Sequence, residues 1–440
     1  MRRLLGGAVA ALLAWACIGG STAYAGPVPP GHHIGHVFVI VLENRNYQDA
    51  YVDNPNHYLG RDLQRKGTLL TQYYGIGHLS NPNYIAMLSG QAPNPVTQSD
   101  CQDYVDFEPS PAVLDSNGQA IGQGCVFPPN VRTLADQLDA KHLSWRGYME
   151  DMGKDPDREP DRCGAPASSF GSGMQDGTQS AKPKDQYAAR HNPFVYFHSV
   201  IDDNSCTRNV VPLPHLGDDL RQLSTTPAFS FITPDLCSDG HDSPCADGRP
   251  GGLKSVDAFL RSWVPRIMSS PAFAKDGLLI VTSDESESQT SEGCCGEKAG
   301  PNSPDPGIYP SGGGMGGGRV GTLVIGTCVR AGVKDATPYN HYSLLRSLED
   351  VFGISSGGAD GKGHLGFAGA AGLKAFGRDV FGGCTAGSST DRHPASGERD
   401  VSAGGGALAA TGMSSVAPLA ALLLLVTAAG VVRLLRIRKV

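Results

Sequence analysis

The sequence predicts an α/β fold in which a mostly parallel sheet is covered by helices on both faces. Four short segments are apolar and rich in β-branched residues without strict alternation, which is typical of strands buried on both faces. Segments with the apolar spacing of helices lie between and after them, as in chains that alternate strands and helices. The predicted strands span residues 36–44, 228–235, 277–285 and 321–327, and the predicted helices include 131–140, 256–268 and 342–353.

The predicted folded domain covers residues 34–385 of the 440-residue chain. This length exceeds that of a usual single domain, but no second linker divides it, so the excess is assigned to loops. The Gly- and Pro-rich stretches near 151–190 and 289–318 are the natural insertions. Residues 386–407 are rich in Ser, Gly and Ala and predict a flexible linker.

The N-terminus predicts export. Residues 1–25 contain two arginines and an apolar run and end in Ala23-Tyr24-Ala25, which is the pattern of a cleaved signal peptide. A transmembrane anchor is the alternative, but the apolar run is short and is interrupted by two glycines.

The C-terminus predicts attachment to the cell surface. The pentapeptide LAATG at 408–412 resembles the LAxTG sorting signal that sortase reads, and with the apolar span 416–432 and a basic tail it completes that pattern over residues 408–440. The resemblance implies cleavage between Thr411 and Gly412 and attachment to the wall of a high-GC Gram-positive bacterium. A plain C-terminal membrane anchor is the alternative, with the basic tail on the cytoplasmic side.

The mature protein is predicted to be acidic. Loss of both terminal segments removes six cations and no acid, which takes the formal net charge from −7 to −13. This charge argues against nucleic acid as a partner, because binding to its backbone depends on Lys and Arg that neutralise phosphates.

The cysteines predict disulfides. Ten remain once the signal peptide is removed, and an even count in an exported chain favours disulfide bonds. A zinc cluster is the alternative, but the paired C-x-x-C spacing of such sites is missing from the sequence. Cys237 and Cys245 form the predicted local pair, and the other pairings stay open. The ten are Cys101, Cys125, Cys163, Cys206, Cys237, Cys245, Cys294, Cys295, Cys328 and Cys384.

Polar residues end the predicted strands or follow them closely, and they would meet at one edge of the sheet, where ligands of parallel α/β sheets gather. Carboxylates from three strand ends would repel one another unless a cation lies between them or some of them are protonated. We favour a divalent metal ion, and Mg, Ca, Mn and Zn all suit such ligands. The residues concerned are Glu43, Asn44, Asp235, Asp239, His241, Asp284 and Glu285.

Ser80 opens the stretch SNPNYIAMLSG, which predicts a helix. A serine at this point could bind the metal while the helix N-terminus offers free N–H groups to an anion. Contact with a metal would make the hydroxyl a usable nucleophile. Taken alone, the alternative that Ser80 only caps the helix is the default.

Five blocks in order resemble the bacterial phosphoesterase family of non-haemolytic-type phospholipases C and a group of acid phosphatases, within the alkaline phosphatase-like superfamily. The resemblance spans roughly residues 35–355 and implies an alkaline phosphatase-like three-layer α/β/α sandwich. The blocks are HVFVIVLENRNY, GHLSNPNYIAMLSG, FSFITPDLCSDGHD, LLIVTSDESES and PYNHYSLLRSLEDVFG.

The resemblance also implies site residues and their roles. Ser80 would be the nucleophile and a metal ligand. The further metal ligands would be Glu43, Asn44, Asp284 and Glu285, and His78, His241 and His341 would surround the phosphate.

Several of these assignments have alternatives. Asn44 could hold a turn, and Glu285 stands where some of the acid phosphatases have aspartate. Asp239, His241 and Asp242 share one loop, in which any of them could be solvated, and His241 is preferred because "DGH" recurs in the family. His341 could merely cap its helix, and residues 349–350 are expected on an exposed helical face.

The predicted reaction is hydrolysis of a phosphate monoester at a metal-supported serine, with a phosphodiesterase or phospholipase C as the second interpretation. The substrate would be a small phosphate ester or a phospholipid. A wall-displayed binding module that keeps the fold without catalysis is the alternative from another class. A sulfatase is disfavoured because SNPNY lacks the arginine of the C/S-x-P-x-R motif.

Overall fold

The computed structural model describes residues 34–53, 57–167, 174–287, 292–303 and 316–382. Within these ranges, no helix combines the length and the apolar character that crossing a membrane requires. Several predictions concern residues outside these ranges. They are the signal peptide (1–25), the linker (386–407), the sorting signal (408–440) with its apolar span (416–432), and Cys384.

The strands of the described residues form one eight-stranded sheet and three two-stranded pairs. Numbered along the chain, they are β1 (His36–Leu42), β2 (Thr68–Leu70), β3 (Tyr73–Tyr74), β4 (Asp103–Tyr104), β5 (Glu108–Leu114), β6 (Ala120–Gln123), β7 (Trp145–Met149), β8 (Met174–Gln175), β9 (Val210–Pro212), β10 (Phe229–Thr233), β11 (Gly277–Ser283), β12 (Thr322–Gly326), β13 (Val333–Asp335) and β14 (Tyr339–Asn340).

The large sheet has the order β13-β2-β12-β11-β1-β10-β7-β9. Five consecutive strands, β11, β1, β10, β7 and the edge strand β9, run parallel to one another. β12 is antiparallel to both of its neighbours. Its apolar run was correctly predicted as a strand, but the prediction that this strand belongs to the parallel set is wrong. The prediction of an α/β fold around a mostly parallel sheet is confirmed.

The helices cover both faces of this sheet. They are α1 (Ser80–Ser89), α2 (Leu134–Ala140), α3 (His198–Ile201), α4 (Ser205–Asn209), α5 (Pro214–Asp219), α6 (Gly252–Met268), α7 (Pro271–Asp276), α8 (His341–Val351) and α9 (Arg378–Phe381). Short 3₁₀ or π turns add Gln48–Val52, Tyr58–Leu63, Gln64–Lys66, Thr97–Ser99, Ala189–His191, Pro193–Tyr196 and Gly366–Gly369.

The alternation of β1 shows how the three layers are held together. Its odd-numbered valines pack into one core with apolar residues of α1, α2 and α8, and its even-numbered residues pack into a second core with α6. Both sides of the strand are apolar because both sides are covered. The first set is Val37, Val39 and Val41, and the second is Phe38, Ile40 and Leu42.

The register of β1 and β11 places two acids side by side. Leu42 pairs with Ser283 at the ends of these parallel strands, so the residues that follow, Glu43 and Asp284, leave the sheet at the same edge. β10, on the other side of β1, ends at Thr233 and leads into the loop that carries the remaining acids. The sheet therefore gathers the predicted site at its carboxyl edge.

One expectation on α8 is wrong. Glu349 is fully buried, and its Oε1 accepts a 2.8 Å hydrogen bond from the backbone N–H of Leu365, whereas Asp350 is exposed as predicted. The segment after α8 folds back over this face of the helix. That contact joins residues distant in sequence, so helical periodicity alone could not indicate it.

Four disulfides lie within the described residues. The predicted pair Cys237–Cys245 is confirmed, and it closes a short loop after β10. Because these two sulfurs are bonded to each other, they offer no thiolates to a zinc ion. The other three bonds are Cys101–Cys125, Cys163–Cys206 and the adjacent Cys294–Cys295, and Cys328 is disulfide-bonded as well.

Candidate active site

The loop before α1 is shaped by the side chain of Asn83. Its Oδ1 accepts hydrogen bonds from the N–H groups of Ile76 and Gly77, and its Nδ2 donates to the carbonyls of Gly77 and Leu79. Leu79 has a φ of 74°, a conformation that costs a leucine on the order of 1–3 kcal/mol. The hydrogen bonds of Asn83 therefore fix a strained turn directly before Ser80.

Ser80 begins α1, as predicted, and faces the end of β1. Its hydroxyl donates a 2.7 Å hydrogen bond to Oε2 of Glu43. One helical turn later, the hydroxyl of Tyr84 donates a 2.6 Å hydrogen bond to Oε1 of the same carboxylate. Ser80 is the first residue of α1, with Leu79 at the N-cap position, and its hydroxyl bonds to Glu43, so the capping alternative for Ser80 does not apply.

The first turn of α1 offers fewer donors to an anion than the sequence suggested. The backbone N–H of Asn81 already donates to Oδ1 of Asp100 at 3.0 Å. The next residue, Pro82, has no N–H. An anion at Ser80 therefore needs donors from other parts of the site.

Glu43 and Asp284 form the centre of a buried acidic cluster. Both side chains are fully buried. Burial, and then the charges of Asp284 and Asp239, raise the pKa of Glu43 well above its usual value. Burial likewise raises the pKa of Asp284. Acids in this position favour either protonation or a bound cation.

Asn44 connects these two strand ends through its backbone. Its N–H donates to Oδ1 of Asp284 at 3.1 Å, and its φ of 53° is the left-handed conformation that asparagine tolerates. Oδ2 of Asp284 is buried without a hydrogen bond. Asn44 thus forms the turn that the sequence allowed as its alternative role. This turn lies directly beside the predicted metal ligands.

Asp239 and His191 complete the cluster. Nε2 of His191 lies 3.4 Å from Glu43 Oε1, and its Nδ1 lies 3.3 Å from Asp239 Oδ2. The imidazole is buried and stacks on Tyr84, with ring centroids 5.2 Å apart and planes 6° from parallel. Burial, followed by the charge of Arg190, lowers the pKa of His191 well below its usual value, so the neutral ring can act as a ligand.

His78 and Glu285 form a pair at the side of the cluster. Nδ1 of His78 lies 2.6 Å from Oε2 of Glu285, and both side chains are buried. Burial raises the pKa of Glu285 to about 8 despite the hydrogen bond from His78. The structure therefore brings both predicted residues to the site and places them in contact with each other.

His341 lies behind Asp284. Its Nε2 is 2.5 Å from the backbone carbonyl of Asp284, and its Nδ1 is 3.0 Å from the hydroxyl of Tyr73. The imidazole is fully buried, which lowers its pKa to about 4. Both nitrogens are engaged within the protein, an arrangement that suits a histidine that positions Asp284.

His241 lies at the outer side of the cluster and is about one-third exposed. Its backbone N–H donates to Oδ1 of Asp239 at 2.7 Å, and its Nδ1 is 2.7 Å from Oδ1 of Asp242. Its Nε2 faces the guanidinium of Arg190 at 3.3 Å. Of the predicted histidines, His241 combines contact with the site and access to solvent.

The residues present fit a divalent cation. The ligand atoms of Glu43, His191 and Asp239 lie within 4.8 Å of one another. Asp239 Oδ2 and Asp284 Oδ2 are buried without hydrogen bonds, which is costly for polar atoms unless a ligand satisfies them. Carboxylate oxygens with one imidazole suit Mg, Ca, Mn or Zn, so the arrangement suggests a metal ion of open identity.

Sequence reasoning missed three members of this site, Tyr84, Arg190 and His191, and it placed a fourth, Asp239, at the sheet edge without choosing it as a ligand. Asp239 was considered but His241 was preferred, although Asp239 is the more deeply buried of the two. The position of Tyr84, one helical turn after Ser80, could have indicated it. Arg190 and His191 lie at the end of a stretch treated as an insertion, and no local signal marks them.

A buried serine, four carboxylates and histidines at the carboxyl edge of a parallel sheet define a hydrolase-like α/β protein. The chain belongs to the phosphoesterase family, which matches residues 50–355. A solved structure of a protein in the alkaline phosphatase superfamily from Vibrio parahaemolyticus is similar, with 14% identity and a TM-score of 0.42, covering 75% of this chain and 69% of that one.

Two curated relatives carry activity names. A phosphate-repressible acid phosphatase of Penicillium chrysogenum is 28% identical over 324 residues, which are 72% of this chain and 58% of the relative. A phosphatidylinositol-3-phosphatase of Mycobacterium tuberculosis is 25% identical over 326 residues, which are 73% of this chain and 78% of the relative.

The acid phosphatases among the relatives correct one expectation. They come from fungi, such as Penicillium chrysogenum and Aspergillus fumigatus, so the expectation of a purely bacterial family was too narrow. The chain spans little more than half of the length of these fungal relatives, 58% and 55% in the two cases.

Proposed function

We propose that this protein is a metal-dependent phosphatase that hydrolyses phosphate monoesters with Ser80 as the nucleophile. The observation that carries the proposal is the 2.7 Å hydrogen bond from the Ser80 hydroxyl to Glu43 at the start of α1, within a buried cluster of acids. The names of the two relatives, an acid phosphatase and a phosphoinositide phosphatase, support a monoester as substrate.

The candidate metal ligands are the residues that meet at the sheet edge. A bound divalent cation would neutralise charge on the serine oxygen and on the phosphoryl group. The ligand set is Glu43, Asn44, Ser80, Asp284 and Glu285, with Asp239 and His191 added by the geometry.

The protein's own groups would position the reaction. Glu43 would accept the proton of the Ser80 hydroxyl as the serine oxygen attacks phosphorus and the bond to the leaving oxygen breaks. His241, which is accessible to solvent, would protonate the leaving oxygen. Water would then give a proton back to His241 as it attacks the phosphoserine, and Glu43 would return its proton to the Ser80 oxygen as phosphate leaves. His78 would hold Glu285 in place, and His341 would hold Asp284 in place.

A direct assay tests this proposal. The full-length protein, purified in detergent, would be given nitrophenyl phosphate and bis-nitrophenyl phosphate side by side, with divalent cations and with chelator. We expect monoester turnover that is lost on chelation and in Ser80→Ala. The matched control is Ser89→Ala on the same helix, whose hydroxyl donates to the carbonyl of Ile85 and should leave turnover unchanged.

Three other outcomes would change the proposal. A preference for the diester would move the assignment to a phosphodiesterase or phospholipase C. Turnover that survives Ser80→Ala would remove the serine from its role. A protein that turns over neither ester and binds no divalent cation would favour the display-module alternative.

Export and wall attachment belong to the same proposal but depend on residues outside the described ranges. The mature protein should be found in the cell-wall fraction, linked through Thr411. Recovery from the detergent-soluble membrane fraction would instead support a plain membrane anchor.

A further inference from the structure

Arg190 is a buried arginine at the edge of the candidate site. Only 4% of its side chain is exposed, and its Nη2 lies 3.3 Å from Nε2 of His241. Its backbone carbonyl accepts a hydrogen bond from the side chain of Asn81, the residue after Ser80. The guanidinium is therefore held between the first turn of α1 and the loop that carries His241.

Two groups fix the orientation of this guanidinium. Its Nη1 donates a 2.9 Å hydrogen bond to the carbonyl of Gln179, and its Nε lies 3.8 Å from Oδ2 of Asp100. Asp100 is itself anchored, because its Oδ1 accepts from the backbone N–H of Asn81. A guanidinium has five N–H groups, so these contacts leave donors for a ligand.

Arg190 lies beside both residues that the geometry adds to the candidate metal ligands. It directly precedes His191 in the chain, and the ring of His191 lies 6.0 Å from the ring of His241, which Nη2 of Arg190 contacts. The backbone N–H of His241 in turn donates to Oδ1 of Asp239. The positive charge of Arg190 is therefore next to the cluster of acids.

A phosphate monoester needs such a cation more than a diester does. The monoester presents three non-bridging oxygens and a second negative charge, which the surrounding carboxylates would repel. The first turn of α1 can supply few of these donors, because the N–H of Asn81 is used and Pro82 has none. The planar fork of an arginine matches two phosphoryl oxygens at once.

We propose that Arg190 binds the non-bridging oxygens of the substrate and thereby selects phosphate monoesters over diesters, with Asp100 as its positioning residue. This inference rests on the proposed phosphatase function and specifies the substrate class of the same site. The alternative is that Arg190 is a structural arginine that only pairs with Asp100 and Gln179.

The experiment compares both nitrophenyl esters in wild type, Arg190→Ala and Arg190→Lys, using the full-length protein with the cation that gives the highest turnover. In Arg190→Ala we expect kcat/KM for the monoester to fall about 100-fold and that for the diester less than about fivefold. Arg190→Lys should recover part of the loss. Binding of inorganic phosphate should weaken in the same order.

Two further variants separate binding from folding. Asp100→Asn should lower the ratio of monoester to diester turnover without removing the arginine, which a purely structural role would not do. Arg249→Ala is the matched control, since this arginine pairs with Asp235 and Asp247 and should leave the ratio unchanged.

The outcomes distinguish this inference from the function on which it rests. Equal losses for both esters in the variants at residues 190 and 100, with unchanged phosphate binding, would overturn the role of Arg190 while the phosphatase function stands. If the wild type binds inorganic phosphate but turns over neither ester, and Arg190→Ala loses that binding, the phosphatase function is overturned while the anion site stands.

Discussion

Ser80 and Tyr84, one helical turn apart on α1, hydrogen-bond to the two oxygens of a single buried carboxylate, that of Glu43. α1 therefore carries both the candidate nucleophile, Ser80, and the tyrosine that orients the carboxylate to which Ser80 donates. The ring of Tyr84 also stacks on His191, so the same side chain positions two candidate ligands.

Tyr84→Phe tests this double role. The variant keeps the stacking on His191 but loses the hydrogen bond to Glu43, so we expect kcat to fall by at least about tenfold and unfolding stability to fall by about 1 kcal/mol. Steady-state kinetics and thermal unfolding measure the two effects. Tyr104→Phe, which removes a hydrogen bond to the carbonyl of Val195, should lower stability alone. Equal activities in both variants would argue against a role for Tyr84.

Asp239→Asn tests the cation site. In the metal-free protein, burial raises the pKa of Asp239 well above its usual value, so replacing the acid with a neutral amide should not lower the melting temperature. With divalent cation present, the wild type should gain melting temperature and the variant should gain much less. Calorimetric titration should show at least about tenfold weaker metal binding. An undiminished metal-dependent increase in melting temperature would place the cation elsewhere.

His341 and His241 should respond differently to the leaving group. His341 is fully buried against protein groups, whereas His241 is about one-third exposed, so His341→Gln should lower turnover of aryl and alkyl phosphates by the same factor. His241→Gln should affect alkyl phosphates more, because their leaving oxygen needs a proton. The ratio of kcat values for the two substrates is the measurement. A leaving-group effect in the His341 variant would instead assign acid catalysis to that residue.

Glu349 should make stability fall as the pH rises. Burial raises its folded pKa to about 8, above its unfolded value, so the protonated carboxyl stabilises the fold at low pH and this contribution is lost between about pH 4.5 and 8. Glu349→Gln should remove up to about 1.4 kcal/mol per pH unit from that slope. Denaturant unfolding across this pH range measures it, with the exposed Glu108→Gln as control. Identical slopes of stability against pH in the wild type and in Glu349→Gln would show that Glu349 titrates normally.

The Cys237–Cys245 bond should support the site as well as the fold. It closes the loop that contains Asp239 and His241. Replacing both cysteines with serine should lower stability by about 2–3 kcal/mol and also weaken metal binding. The double serine variant of Cys101–Cys125, which closes a longer loop without candidate metal ligands, should lower stability without changing metal affinity. The same metal affinity in both variants would limit the first bond to a structural role.

The site was partly predictable because three of its segments follow local rules. The acids after β1 and β11 and the serine that begins α1 each belong to an element whose pattern is readable in the sequence. Parallel strands end at a common edge, so the meeting of Glu43 and Asp284 could be expected. The disulfide Cys237–Cys245 was predictable for the same reason, since its partners are close in sequence.

The roles of the histidines depended on contacts that no local pattern contains. His341 was expected at the phosphate, but the start of α8 places its nitrogens against the hydroxyl of Tyr73 and the carbonyl of Asp284. Glu349 was expected in solvent, but a later segment covers it. Arg190 and His191 enter the site from a loop without periodicity.

The sequence by itself determined the α/β class, the order of the strands and helices along the chain, and the identities of the serine and the acids at their ends. Hydrophobic periodicity and helix-start motifs depend only on residues close in sequence, so they can be recognised before the tertiary structure is known. The tertiary structure alone decided that His191 and Arg190 join those acids and that His341 lies behind them. These placements result from long-range packing, which brings together side chains from loops whose own sequences allow many conformations.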